Sequence, residues 1–321
     1  MNVPADPTVS VSVSFAAGSQ NDPPGKEGLA YLTGQMLADA ATQSHSLEVI
    51  LEKLYPLASG YQARVDRERT TITGRTHRDN AGAYLDLFTA AYLEPAFAQD
   101  DFQRIKNDAI NDLTNTLRYS SDEELGKAAL YDFVFEGTRY AHPSEGTVAG
   151  LRSITLDDVR QFYRRHYTAR SALLGVGGGF DDATVDRLKH SLAALPEGAP
   201  GVPPPIEPEP IHGREVRLID KPGADASISF GFPVDVRRGE RDFYALWIAN
   251  SWLGEHRSST GHLYQFIRET RGLNYGDYSY IEAFPEGGAR EMPPVNVPRR
   301  RQLLEVWIRT LPNDRAAFAL R

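Results

Sequence analysis

The chain has 321 residues, 41% apolar and 24% charged, an ordinary globular composition that argues against a disordered or membrane-spanning chain and leaves room for two domains with their own cores. A formal net charge of -8 gives no basic footprint for nucleic acid, and the absence of cysteine removes disulfides, thiolate metal sites and cysteine nucleophiles together. The N-terminus lacks the charged start and apolar core of a secretory signal, and no apolar run reaches the length of a membrane helix.

"TVSVSVSF" alternates Val9, Val11, Val13 and Phe15 with Ser10, Ser12 and Ser14, the period of a strand with one apolar face. The turn-rich "AAGSQNDPPGKE" delivers the chain to "GLAYLTGQML", where Leu29, Leu32, Met36 and Ala40 recur at helical spacing. Tyr31 and Gln35, with Gly34 between them, occupy the adjacent strip. That spacing suits two metal ligands and a nearby base, yet no His, Glu, Asp or Cys fills it.

"HSLEVILEKLYPL" reads as a helix closed by Pro56, and "GYQARVDRERTTITGRTH" as two strands. Two helices follow between Asn80 and Ser120, broken at "LEPAFAQDD", with Asp100 or Asp101 expected to cap the longer one. Asp122 to Phe135 is helical again. Thr155 and Asp158 have capping-box spacing, with Val159, Phe162 and Tyr163 on the expected buried face. "SALLGVGGGF" is a strand, and "DDATVDRLKHSLAAL" a helix started by Asp181.

A first lobe over 1–198 is thereby complete. The proline-crowded stretch 199–212 reads as an extended, semi-rigid linker to a second lobe over 213–321. The order of elements then restarts with "ADASISFGFPV" as strand, "RRGERDF" as turn and "YALWIANSWLG" as helix. The helix "GHLYQFIRETRG", the strand "LNYGDYSYIEAF", a Pro-rich loop, "RRQLLEVWIRTL" and a helix start in "PNDRAAFALR" follow.

Few residues suit chemistry. None of the eight histidines pairs with another at ligand spacing on a helix; His142, beside Glu145, and His256 and His262 read as surface or hydrogen-bonding residues. No Gly-x-Ser-x-Gly elbow is present, and Ser258 and Ser259 look like turn residues. Asp181 and Asp182 after "GVGGGF" would repel a phosphate. Asp108 and Asp112 share a helix face that reads as solvated. Arg268 and Tyr275, set around "RGLN", place a guanidinium and a phenol where they can hydrogen-bond an extended peptide's main chain, although spacing alone favours a structural role.

The stretches "SFAAGSQNDPPGKEGLAYLTGQML", "THRDNAGAYLDLFTAAYLEPAF", "RYAHPSEGTVAGLRSITLDDVRQFYRRHYTARSALLGVGGGFD" and "YQFIRETRGLNYGDYSY", in this order, resemble the pitrilysin/insulinase family of zinc metallopeptidases. The likeness is greatest to two-lobed subunits such as those of mitochondrial processing peptidase. It implies an α+β fold of two similar lobes, each a mostly antiparallel sheet with helices on one face, forming half of a clamshell. It also implies a second lobe that continues beyond Arg321. Family members carry His-x-x-Glu-His on the opening helix, which aligns with Tyr31, Gly34 and Gln35. The third zinc ligand, a glutamate, aligns with Asp112, and a supporting glutamate with Ile105.

On that alignment the chain has no catalytic residue, binds no zinc and is inactive alone. The family's Arg and Tyr, which grip the substrate backbone from a C-terminal lobe, match Arg268 and Tyr275. The resemblance thus implies a non-catalytic, substrate-gripping subunit of a heterodimeric zinc peptidase acting in peptide degradation or processing. Its expected partners are a catalytic subunit that supplies the zinc motif and an extended peptide substrate, with a periplasmic location favoured. The competing expectation is a scaffold subunit of the same fold without proteolytic work, like the core proteins of cytochrome reductase.

Overall fold

The computed structural model describes residues 1–199, 201–203, 205–256, 258–282 and 299–321. The chain forms two compact units, one of Met1–Leu113 with Ser144–Pro204, the other of Thr114–Pro143 with Pro205–Arg321.

The first unit is built on an antiparallel sheet of β1 (Thr8–Phe15), β2 (Gly60–Val65), β3 (Thr70–His77) and β4 (Ala172–Gly178), in the order β2-β3-β1-β4. Central β1 aligns Val13 with Ile72 on one side and Leu174 on the other. Its period of two then does what it predicts: Val9, Val11, Val13 and Phe15 are buried in the core, while Ser10 and Ser12 stand on the opposite face.

The chain's helices up to α5 are α1 (Leu29–Ala38), α2 (Leu47–Leu54), α3 (Ala81–Leu93), α4 (Gln99–Asn111) and α5 (Asp122–Val134). Next come α6 (Val148–Ser153), α7 (Leu156–His166) and α8 (Asp182–Ala193). All but α5 belong to the first unit. The α1 stripe of Leu29, Leu32 and Met36 is fully buried, and Ala40, just past the helix end, is buried with it. Asp22 starts α1 from the preceding turn, its carboxylate accepting the N–H groups of Gly28 and Ala30, each at 2.7 Å. Gly28 itself sits at φ 108°, where a side chain would be strained.

Local capping signals act as read. Thr155 and Asp158 form a reciprocal capping box on α7, and Asp181 accepts the Thr184 N–H at 2.8 Å to start α8. The cap of α4 differs from expectation: its first turn follows Ala98, which offers no side-chain cap, and already contains Asp100 and Asp101. Asp101 instead accepts the Ala41 N–H at 2.9 Å, tying down the turn beyond α1. Past Asn111 the helix widens into a π-type coil over Asp112–Ser120.

The second unit holds an antiparallel sheet of β5 (Asp225–Val234), β6 (Asp277–Tyr280) and β7 (Gln302–Pro312), in the order β5-β7-β6, with α9 (Arg241–Gly254) and α10 (Ala316–Leu320). "RRQLLEVWIRTL" supplies central β7, and it lacks alternation because both its faces are buried. Trp307 lies under the Lys127 ammonium of α5, 3.6 Å from the ring centroid, whereas Val306 and Ile308 pack with Ile267.

Residues 114–143 therefore depart from the 1–198 lobe expected from sequence. Leu130 and Phe135 are buried with Tyr140, Ile206 and Leu303, all within the second unit. The described part of 199–212 carries no helix or strand, as its prolines require, although Ile206 is buried in that cluster. Further on, Arg217 pairs with Asp132 at 2.6 Å and Glu136 at 2.7 Å, holding the chain along α5. The Pro-rich loop expected after "LNYGDYSYIEAF" lies outside the described residues.

Candidate functional site

In the first unit, the positions aligned with the family's zinc motif come from α1 and the end of α4. Tyr31 is half-buried. Burial first, and then the negative charges of Glu145, Asp112, Asp108 and Asp39, push its phenol up to about 12, so it is protonated and neutral at pH 7. Burial likewise raises the Glu145 carboxyl. Gly34 is sealed against the sheet: a Cβ there would stand 2.5 Å from Val65 Cγ2 and 3.1 Å from Thr70 Cγ2. Gln35 donates its side-chain amide to the Ala63 carbonyl of β2 at 3.4 Å. Asp112 is exposed at the start of the π-type coil, Asp108 is exposed beside it as expected, and Ile105 is in the core.

These donors do not fit a zinc ion. A neutral phenol, a glycine and an amide engaged by the backbone leave Asp112 as the one anionic ligand of the aligned set. Among the described residues, no group of three or more His, Cys, Asp or Glu side chains is placed to hold a metal ion. The three histidines singled out from the sequence have ordinary contacts. His256 is buried and hydrogen-bonds the Tyr280 hydroxyl, His262 stacks between Trp252 and Phe266, and His142 contacts the Pro143 carbonyl at 2.8 Å.

The second unit brings Arg268 and Tyr275 together. Arg268 lies in the last turn of the π-type coil Tyr264–Glu269, and its guanidinium carbon lies 4.8 Å from the Tyr264 ring centroid and 5.1 Å from that of Tyr275. Tyr275 is 81% exposed. The coil closes tightly: Gly272 donates its N–H to the Arg268 carbonyl at 2.7 Å and adopts φ 63°, the left-handed region that glycine tolerates. The strand read from Leu273 onward begins only at Asp277, because Leu273–Gly276 is a turn tied to the sheet by Arg309, which donates its N–H to the Gly276 carbonyl at 3.1 Å.

Two neighbours escape a sequence reading. Asn274 and Asp277 bracket Tyr275 and look like ordinary turn residues, yet both are buried, and the Asn274 amide donates to Asp277 at 2.6 Å. The sole sequence signal is the exchange of apolar for polar residues where a strand should enter a core.

The repeated pattern of sheet and helix defines a peptidase-type α+β fold. Residues 1–147 match the family described as insulinase (peptidase family M16), and residues 153–289 match the domain described as the peptidase M16 inactive domain; the chain belongs to this family. It is 22% identical over 287 residues to "Uncharacterized zinc protease YmxG" of Bacillus subtilis (strain 168), covering 89% of this chain and 68% of that one. It is 26% identical over 235 residues to "Cytochrome b-c1 complex reductase subunit, mitochondrial" of Candida albicans, covering 70% of this chain and 48% of the other.

Among solved structures, a peptidase M16 inactive domain from Pseudomonas fluorescens matches with a TM-score of 0.83 at 22% identity, over 100% of this chain and 73% of that one. That likeness is one of fold. The chain spans from about half to about three quarters of the length of these proteins. None of its helices, among the described residues, is long and apolar enough to cross a membrane.

Proposed function

We propose that this chain is the non-catalytic, substrate-gripping subunit of a heterodimeric zinc metallopeptidase of the M16 family, acting in peptide degradation or processing. The observation that carries this reading is the pairing of Arg268 with exposed Tyr275 in the second unit, taken together with a donor set at Tyr31, Gly34, Gln35 and Asp112 of the first unit that does not suit zinc. Arg268 presents a planar fork of donors to peptide carbonyls, and the Tyr275 hydroxyl can donate or accept along the same extended chain. A partner subunit would supply the His and Glu ligands, the zinc and the general base. Such a division keeps substrate binding on one chain and bond cleavage on the other.

Peptide cleavage by a candidate partner carrying His-x-x-Glu-His, measured with and without this chain and with metal content determined on the same samples, tests the proposal. Activity only in the mixture, lost on Arg268→Ala, is the expected result. A partner that gains nothing from this chain overturns it.

A second reading is a scaffold subunit. It is favoured by the 26% identity to a subunit named for the cytochrome b-c1 complex. Under it, Arg268→Ala and Tyr275→Phe leave assembly and function unchanged.

A further inference from the structure

Asn274 and Asp277 lie on either side of the dipeptide Tyr275–Gly276, and both are nearly sealed from solvent, at 7% and 0% exposure. Asn274 Nδ2 donates to Asp277 Oδ1 at 2.6 Å and to the Arg309 carbonyl at 3.2 Å. The second oxygen of each side chain is left over: Asn274 Oδ1 and Asp277 Oδ2 are buried without a hydrogen-bond partner among the described residues. Both atoms are acceptors when the carboxylate is ionised, so neither can satisfy the other. A single proton changes that. A carboxylic acid carries one O–H donor, and an acid facing a primary amide can make two parallel bonds, O–H to the amide oxygen and N–H to the acid carbonyl, leaving neither orphan.

We propose that Asp277 is a positioning residue whose protonated form closes an acid–amide pair with Asn274 and thereby fixes the turn that presents Tyr275 to a peptide. This inference rests on the gripping role proposed above. Both ends of the turn are already anchored at Arg309: Asn274 bonds its carbonyl, and Gly276 accepts its N–H at 3.1 Å. The pair is the link that closes this loop from inside. Without it, the turn keeps its two bonds to Arg309, and exposed Tyr275 keeps its contact with Arg268.

The surroundings support a proton at Asp277. Burial pushes its carboxyl up to about 6, against the pull of the Asn274 bond, and no charged neighbour contributes to that shift. The charged and titratable groups on the elements nearby are engaged elsewhere. Arg309 of β7 pairs with Glu123 of α5 at 2.8 Å, and Arg268 stacks on Tyr264 and Tyr275 while lying 3.9 Å from Glu269. At the end of α9, Glu255 accepts from Trp247 and Ser251, and the His256 ring lies against Tyr278 and bonds Tyr280. The folded-state value is raised, so the stabilisation is complete below the unfolded carboxylate value of about 3.9 and is lost as pH rises through about 6.

The test uses the full chain. Carbon-13 NMR follows the Asp277 carboxyl, and thermal unfolding from pH 4.5 to 7.5 compares the wild type with Asp277→Asn, whose amide keeps two parallel bonds without needing a proton. The expected results are a carboxyl inflection near 6 and a wild-type unfolding temperature that falls relative to D277N across that window. A carboxyl titrating near 4, or identical pH profiles, overturns the pairing.

Binding of a fluorescein-labelled, unstructured casein peptide then reads the positioning role. Wild-type affinity should weaken about tenfold between pH 5 and pH 7.5, the equivalent of one pKa unit, while D277N stays at the low-pH level. Binding that requires Arg268 but shows no difference between wild type and D277N at any pH overturns the positioning role alone. Absence of Arg268-dependent binding at every pH overturns the gripping reading, and the positioning role falls with it.

Discussion

Arg268 lies over two rings, the exposed Tyr275 and Tyr264, and its ion pair, 3.9 Å from Glu269, is exposed to solvent. A charge-assisted hydrogen bond contributes about 1.5–3 kcal/mol. Arg268→Ala should therefore lower the kcat/KM of a reconstituted heterodimer by about 10- to 100-fold, and Arg268→Lys should recover little, because an ammonium lacks the planar fork. Steady-state kinetics on the mixture measure both. His166, tilted on the Phe162 ring, has its pKa lowered to about 4, mainly by burial and then by Arg165. A depressed histidine contributes stability that is complete above its ordinary value near 6.5 and is lost as pH falls toward about 4. The unfolding temperature should drop over that range more steeply in the wild type than in His166→Phe. At this scale the Arg/Tyr spacing was legible in the sequence. The burial of Asn274 and Asp277 was not, since two polar residues around a tyrosine look the same in a solvated turn and in a sealed one.

Elements whose cause is local were readable to within a few residues of their bounds. The strand Thr8–Phe15 follows from strict alternation, and α7 and α8 follow from caps that act within four residues. Removing the α7 cap with Thr155→Ala should cost about 1 kcal/mol, visible in denaturant unfolding. The fit of α1 against β2 and β3 is a different matter. Gly34 leaves no room for a Cβ beside Val65, so Gly34→Glu, which introduces the glutamate that the resemblance would place here, should destabilise the protein by about 1–3 kcal/mol through overpacking. A lowered unfolding temperature checks this, and an unchanged one would mean that Val65 yields easily. Other features depended on partners distant in sequence. Asp101 was diverted from capping by the Ala41 N–H, and β6 is short because Arg309 pulls the preceding residues into a turn.

For the molecule as a whole, the segment 114–143 decides where the cores lie. Leu130 of α5 is buried with Leu303 of β7 and Ile206 from the proline-rich connection. Leu130→Ala should cost about 2–5 kcal/mol, and hydrogen exchange should show the loss in β5 and β7 while β1 and β3 keep their protection. Equal loss in both sheets would show that α5 stabilises the first unit as well. The amino-acid sequence by itself determined the elements set by periodicity and capping, the proline-rich connection, the family resemblance and the candidate pair Arg268 and Tyr275. Those properties are encoded by residues a few positions apart, or by their linear order. Tertiary structure alone decided which unit takes α5, that burial raises the Tyr31 phenol, that Gly34 is sealed, and that Asn274 and Asp277 meet, buried, on either side of Tyr275 in the chain. Each of these depends on burial and on contacts between residues far apart in the chain, and no local pattern records which surfaces will meet.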